Sequence, residues 1–222
     1  MKSFNLLSAG AFGALSLFYA GCALTSKGDV VAPHYYSAEL PVPSSSDVAA
    51  TAGTPLELRL GHVDAASHLE ERMSFRLQAS EVGFYDDRRW TEEPAEYLRR
   101  GLEQELFERR HVRRIIAGSA PTLDVELTAF EELREPQPHV RLALHLTLHD
   151  DRQASLEQSV VVERPLAGGP DRPADVASAL RLALATAVAD VSDAVIKHLP
   201  SVQPTPCTDA APASTAAAGK TP

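Results

Sequence analysis

Residues 140–149 alternate strictly between apolar positions and more polar ones, and this is the clearest structural signal in the sequence. Every second residue there is Val or Leu, and Arg, Ala, His and Thr fill the positions between them. Because successive side chains of a strand point to opposite faces of a sheet, a period of two predicts a β-strand with one buried face and one more solvent-exposed face. Sheets that are solvated on one face are typical of antiparallel or mixed arrangements.

Shorter segments of the same kind predict further strands on both sides of this one. They cover residues 34–40, 56–60, 73–77, 82–85, 123–127 and 155–163. The third and fourth flank Ala79-Ser80-Glu81 and are typical of a hairpin. The acidic segment 150–153 is predicted to turn the chain from the central strand into the last one, so the later strands form a meander.

Two segments have a helical period instead. The first, residues 94–110, repeats Leu98, Leu102 and Leu106 on one stripe and begins at a proline, which a first helical turn tolerates. The second, residues 174–198, carries an Ala, Val and Leu stripe and is expected to stop at Pro200. The pattern predicts a single α+β domain, a twisted antiparallel or mixed sheet with two helices packed on one face.

The first 22 residues have the pattern of an export signal. Lys2 precedes an apolar stretch that is short for a spanning helix of about 20 apolar residues. The stretch ends in Ala20-Gly21-Cys22, which resembles the lipobox of bacterial lipoproteins, although Tyr19 stands where that pattern usually has Leu. We therefore predict that residues 1–21 are a lipoprotein signal peptide and that Cys22 receives the lipid. An ordinary cleaved signal and an uncleaved anchor are the alternatives.

The rest of the chain divides by composition. Residues 22–33 are predicted to be a tether and residues 34–199 the folded domain, with a flexible loop at 41–55. Residues 200–222 form an Ala- and Pro-rich tail that is too poor in large apolar residues to build a core, so it is predicted to be disordered. Ala23 follows Cys22 where an Asp would favour inner-membrane retention, so the outer membrane is favoured over the inner one.

Charge and cysteine content exclude several classes of protein. The chain has 21 Lys and Arg against 30 Asp and Glu, a formal net charge of −9. Nucleic-acid binding needs a basic face to neutralise phosphates, so no nucleic-acid partner is expected. Two cysteines cannot build a disulfide scaffold or a Cys-rich zinc site.

The polar residues show no catalytic pattern. Gly-rich phosphate loops, HExxH and GxSxG are absent from the sequence. His145 and His149 share a strand face about 13 Å apart, too far for one zinc ion, whose bonds to nitrogen are about 2.0–2.1 Å long. Asp86-Asp87 and Asp150-Asp151 both fall where turns are expected, and acidic turn residues are common without catalysis. No catalytic residue, metal site or cofactor is predicted, and the chain is not expected to be an enzyme.

Three segments together resemble a known family. They are the Cys22 signal, the strand that begins Tyr35-Tyr36, and residues 84–94, in which Arg89-Trp90 precedes a helix. This combination resembles the ABC-type transport auxiliary lipoproteins of the paraquat-inducible protein C type, which accompany MCE lipid transport systems. The resemblance implies a periplasm-facing, membrane-anchored partner of an MCE-domain protein. ATP hydrolysis would belong to another chain of the transport system. Whether this chain forms a homo-oligomer is left undecided.

Two questions stay open within this interpretation. Trp90 is either a structural anchor under the first helix, with Arg89 or Arg88 stacked outside, or an exposed contact for a partner. Tyr35 and Tyr36 point to opposite faces, so at most one belongs to the core. For the function, an anchoring or partner-binding module is the first hypothesis. A lipid-binding carrier and an envelope assembly lipoprotein of the lipopolysaccharide-export or secretion type are the alternatives.

Overall fold

The computed structural model describes residues 31–42, 56–78, 80–166 and 172–202, without the side chains of the last two. Several predicted segments lie outside the described residues. They are the signal peptide, Cys22 and the tether up to residue 30, most of the 41–55 loop, and residues 203–222 of the tail. The described residues from Pro33 onwards form one compact unit. Across the described ranges, none of the helices combines the length and the apolar character that crossing a membrane requires.

The described chain forms one eight-stranded sheet and two helices. The strands are β1 (His34–Tyr36), β2 (Glu57–Ala65), β3 (Arg72–Gln78), β4 (Glu81–Trp90), β5 (Arg113–Arg114), β6 (Thr122–Leu133), β7 (His139–His149) and β8 (Ala154–Pro165). The helices are α1 (Pro94–Glu103), which continues as a π-helical segment (Gln104–Arg109), and α2 (Pro173–Val202). The predicted α+β class, with a mixed sheet and two helices in a single domain, is confirmed.

The long strand β6 organises the sheet. One of its edges pairs with β7 in antiparallel register along its whole length, and β7 pairs in the same way with β8. Its other edge is shared by two parallel strands, β2 along the first half and β3 along the second. Beyond them, β4 lies antiparallel to β3, β1 parallel to β4, and β5 parallel to β2. The meander predicted from 123 to 163 is thus correct, and the parallel half of the sheet is the part that the alternation did not reveal.

The core lies between the sheet and the helices. The alternating Val and Leu residues of β7 are all buried, as are Leu98, Leu102 and Leu106 of the first helix. α2 buries the stripe that its sequence predicts, here listed in full: Val176, Leu180, Ala183, Leu184, Ala187, Val191, Val195 and Leu199. These side chains form one continuous cluster that also takes in Trp90 and Phe130.

Several element boundaries differ from their predictions: β2, β4 and β6 extend beyond the predicted ends at residues 60, 85 and 127, and β5 was not predicted. Two further differences have a local reason. β1 ends at Tyr36 instead of residue 40, because its partner β4 ends at Trp90 and the chain there turns into α1; the backbone N–H of Thr91 donates to the Tyr36 carbonyl at 2.9 Å. Pro200 lies inside the last turn of α2 instead of ending it. A proline there removes a single helical hydrogen bond, and the buried Leu199 beside it keeps the turn packed.

Candidate functional site

The segment from Tyr85 to Trp90 in the second half of β4 is irregular. Arg72 pairs with Arg89 and Ser74 pairs with Phe84, so one residue of β3 lies opposite four residues of β4. Such a bulge re-aims side chains and increases the local twist. Asp86 and Asp87 lie within this bulged strand, so the prediction that they occupy a turn is wrong. The turn predicted at Asp150 is correct, because its carboxylate accepts the backbone N–H groups of Arg152 and Gln153.

Trp90 ends the bulged strand inside the core. Its side chain is 1% exposed and lies with its ring centroid 5.1 Å from that of Phe130 and 6.3 Å from that of Tyr97. The indole therefore joins β4, β6 and α1. The guanidinium of Arg88 lies 3.9 Å from the centroid of the Tyr85 ring, so the arginine that stacks on an aromatic ring here covers Tyr85 and not Trp90.

Arg89 holds the backbone of the bulge. Its Nη1 donates to the carbonyl oxygens of Tyr85 and Arg88 at 2.9 and 3.0 Å. Both carbonyl groups belong to the segment in which the pairing with β3 is interrupted. The side chain of Arg89 thus acts on its own strand.

β1 runs alongside this segment, with Tyr35 opposite Arg89 and Tyr36 opposite Trp90. Tyr36 packs against the core, whereas Tyr35 is 61% exposed. The structure therefore brings Tyr36, Arg89 and Trp90 together as one supporting cluster. Among the aromatic residues of this cluster and its neighbours, Tyr35 is the one that offers a surface.

A second cluster surrounds the Tyr85 hydroxyl, and sequence analysis did not anticipate it. Glu132 is fully buried and accepts a hydrogen bond from the Tyr85 hydroxyl, which in turn accepts one from Arg134 Nη2 at 2.7 Å. The Arg134 guanidinium lies 4.0 Å from the centroid of the Phe75 ring and closes the cluster from outside. The adjacent pair Glu131-Glu132 within an otherwise apolar strand is the sequence signal that points to buried ionisable residues.

Burial, and after it the hydrogen bond to the Glu132 carboxylate, raises the pKa of Tyr85 to about 12. The phenol is therefore protonated throughout the physiological range and donates to the carboxylate as a fixed structural partner. A group that stays protonated in this way does not serve as a general base near neutral pH.

We expect this cluster to make the domain sensitive to alkali. The pKa of Tyr85 is about 12 in the folded state and about 10 when unfolded, so its stabilising contribution is complete below pH 10 and is lost as the pH rises from 10 to 12. The loss amounts to about 2–3 kcal/mol. Urea unfolding at pH 8, 10 and 11 should show the wild type and Tyr85→Phe converging as the pH rises. A constant difference between the two proteins would contradict the prediction.

The candidate histidines lie on the sheet face away from the helices. His149 Nε2 lies 3.0 Å from the Asp124 carboxylate, and His145 Nδ1 lies 3.3 Å from Ser159 Oγ. The Asp150 carbonyl at Nδ1 and the Asp124 carboxylate at Nε2 favour the protonated ring and raise the pKa of His149. Among the residues that the structure describes, no three His, Cys, Asp or Glu side chains are grouped so as to hold a metal ion.

The fold and its most distinctive side chains define a class: a small α+β domain with both helices on one face of a mixed sheet, in which the aromatic and arginine residues support the structure. The family follows from the sequence as a whole. The family model for the ABC-type transport auxiliary lipoprotein component matches residues 36–192, more than half of the chain. The chain belongs to this family, whose members are lipoproteins of the cell envelope and which is not known as a family of enzymes.

Solved structures show the same fold in distant proteins. Protein XCC0632 from Xanthomonas campestris superposes with a TM-score of 0.63 at 16% identity, over 76% of this chain and 98% of that one. A second crystal structure, of a protein described as uncharacterized, gives a TM-score of 0.58 at 15% identity, over 74% of this chain and 99% of that one. No curated protein is significantly similar in sequence.

Proposed function

We propose that this chain is the membrane-anchored auxiliary lipoprotein of an MCE-type ABC lipid transport system and that it acts there as an anchoring and partner-binding module. The observation that carries the proposal is the family match over residues 36–192. The lipobox-like Ala20-Gly21-Cys22 supports an acylated N-terminus, and the residue after it favours the outer membrane. The folded domain would face the periplasm and bind the MCE-domain protein.

The packing of the domain supports a binding module over a carrier that holds lipid between sheet and helices. That space is filled by buried side chains from both layers. A small groove of about 90 Å³ lies between the two helices. Its floor is tight, because a Cβ added at Gly101 would lie only 3.0 Å from Leu40 Cδ1 and from Val188 Cγ2. A partner would therefore meet the outer surfaces of the domain.

Affinity capture with the intact lipoprotein tests this function. From detergent-solubilised envelopes we expect it to recover an MCE-domain protein together with an ABC permease and ATPase. The background control is the same capture from cells whose lipoprotein carries no affinity tag. Recovery of no transport component above that background would contradict the proposal. Stoichiometric lipid in native mass spectra of the delipidated domain would favour the carrier.

We expect Cys22→Ser to abolish lipid attachment. Thioether acylation requires the cysteine thiol, so the variant should take up no labelled fatty acid and should leave the membrane fraction or accumulate as the precursor. One acyl chain binds a membrane only marginally, so several are needed for stable anchoring. Cys207→Ser is the matched control, since it removes the other thiol and should label like the wild type. Equal labelling of Cys22→Ser would disprove the assignment.

A further inference from the structure

β8 is the last strand of the sheet, and its outer edge is long and regular. The strand has 12 residues, about twice the usual strand length of 5–6 residues. It pairs with β7 without interruption from His139 opposite Pro165 to Leu148 opposite Leu156. Within the described ranges, no strand pairs with its other edge.

The hydrogen bonds of β7 decide which backbone groups of β8 point outwards. Thr128 Oγ1 donates to the Ala143 carbonyl at 3.2 Å, so the N–H and C=O of Ala143 face β6 and not β8. In an antiparallel pair, the residue opposite such a position also turns its N–H and C=O away from the ladder. Val161 is that residue. With the period of two, the backbone groups of Glu157, Ser159, Val161 and Glu163 all face outwards.

The side chains at these four positions lie on the face that the helices leave uncovered. All four are exposed, and Val161 is 52% exposed although it is apolar. Natural edge strands are usually protected by bulges, by charged side chains and lysine above all, or by prolines along their length. The outward charges of β8 are Glu157 and Glu163, which repel an acidic strand but can pair with a basic one. β8 has a proline only at its last residue, and no lysine. Before Arg88, the outer edge of β4 also lacks a described strand partner. That edge is irregular, because shifts of register interrupt the ladder between β4 and β3.

We propose that the outer edge of β8 takes up an extended strand of a partner protein, so that the partner adds a ninth strand to the sheet. Main-chain hydrogen bonds would supply affinity in such a complex, and side chains at alternate positions would supply specificity. Glu157, together with Glu163 beside its 3.9 Å pair with Arg141 of β7, selects a strand with Lys or Arg opposite these positions. Val161 selects an apolar residue between those two. This inference rests on the proposed function, in which the domain binds a partner.

Charge favours a basic partner over a second copy of this chain. Two β8 strands paired antiparallel about Val160 would place Glu157 of one copy opposite Glu163 of the other. Like charges directly opposite each other destabilise a strand pair. The formal net charge of −9 adds to this repulsion between copies.

The test uses the full-length lipoprotein in detergent micelles and a synthetic peptide as the probe. The peptide carries lysines opposite Glu157 and Glu163 and valine opposite Val161, and a control peptide has glutamates in place of the lysines. We expect the lysine peptide to slow amide hydrogen exchange of the four outward-facing residues at least tenfold, and the glutamate peptide to leave it unchanged. Unchanged exchange with the lysine peptide would overturn the proposal.

Two variants separate the edge from the rest of the domain. Ser159→Pro removes an outward N–H that makes no bond to β7, so it should keep the fold but weaken the peptide at least tenfold. Ser159→Ala is the matched control and should bind like the wild type. If the proline variant does not fold, the double substitution Glu157→Lys and Glu163→Lys serves instead, and it should reverse the preference to the glutamate peptide. Equal binding by Ser159→Pro and Ser159→Ala, or an unchanged peptide preference, would contradict the proposal.

Other outcomes identify which idea fails. The same amides could exchange more slowly at higher protein concentration in the absence of peptide. That result would mean that a second copy occupies the edge, and it would overturn the inference. Capture of the transport components by wild type and Ser159→Pro alike would leave the proposed function standing and refute the role of β8. Peptide binding at β8 without any captured transport component would support the edge as a strand-binding site and count against the proposed function.

Discussion

Replacing Trp90 with alanine is expected to lower the free energy of unfolding by about 3–5 kcal/mol. The indole is 1% exposed and contacts the rings of Phe130 and Tyr97, so its removal leaves a cavity where β4, β6 and α1 meet. For a domain of this size the change corresponds to a melting temperature lower by about 6–20 °C. The large effect follows from the position of the ring, because surrounding elements of the sheet and helix cannot collapse far into the space.

Urea unfolding of Trp90→Ala, with Tyr35→Ala as the control variant, measures the change in the free energy of unfolding. Tyr35 lies on the neighbouring strand but is 61% exposed, so its truncation should change stability by no more than about 0.5 kcal/mol. If Trp90→Ala kept its stability and lost the captured partner instead, the indole would be a contact for the partner. That result would contradict the core position.

Substituting Arg76 with methionine is expected to cost a comparable amount, about 3–5 kcal/mol. Glu131 is 1% exposed, and Arg76 holds it through two bonds, Nε to Oε1 at 2.8 Å and Nη2 to Oε2 at 3.2 Å. Methionine keeps most of the aliphatic stem but removes the guanidinium. The carboxylate would then be buried without its main cationic partner, which is far more costly than the pair itself is stabilising.

A double-mutant cycle isolates that interaction. Adding Glu131→Met to Arg76→Met should restore most of the lost stability, because an apolar pair of similar volume replaces the isolated charge. Arg113→Met is the surface control, since its 3.3 Å pair with Glu57 is largely exposed and should contribute about 0–1 kcal/mol. A loss for Arg76→Met no greater than that for Arg113→Met would disprove the prediction.

The proposed function and the packing are consistent with each other. The core between the layers is filled, and the buried carboxylates Glu131 and Glu132 are held by side chains of the domain itself. Among the surfaces of the described residues, the exposed Tyr35 on β1 and the outer edge of β8 are the two considered above. A module of this kind would work through contacts with other proteins, which is the role that we propose.

Much of the fold could be predicted because its signals are local. The alternation of β7 and the four-residue repeat of Leu98, Leu102 and Leu106 depend only on how side chains project from a strand or a helix. Each period states which face is buried without reference to the partner. For the same reason the helix and strand types were correct, and their ends were less so. β1 ends where β4 ends, and no residue within 34–40 indicates that.

The candidate site could be predicted only in part. Trp90 and Arg89 were identified from the sequence, but their contacts were not. The prediction that Arg88 or Arg89 stacks on Trp90 was wrong. In the bulged strand β4, the Arg88 guanidinium stacks on the Tyr85 ring instead. Glu131 and Glu132 were missed. Their partners Arg76 and Tyr85 stand 55 and 47 residues earlier in the chain, and nothing in the spacing links them.

The sequence alone is enough to predict the class of the domain and the buried faces of its main strands and helices, and it contains the lipobox-like Cys22 on which the expected attachment rests. These follow from short-range periodicity and from a contiguous motif. The folded structure was needed to show that β2 and β3 share one edge of β6, that Trp90 is buried, and that β8 has an outer edge without a described partner. Pairing between strands is a contact between distant parts of the chain, and its register depends on bulges and partners that no single segment encodes.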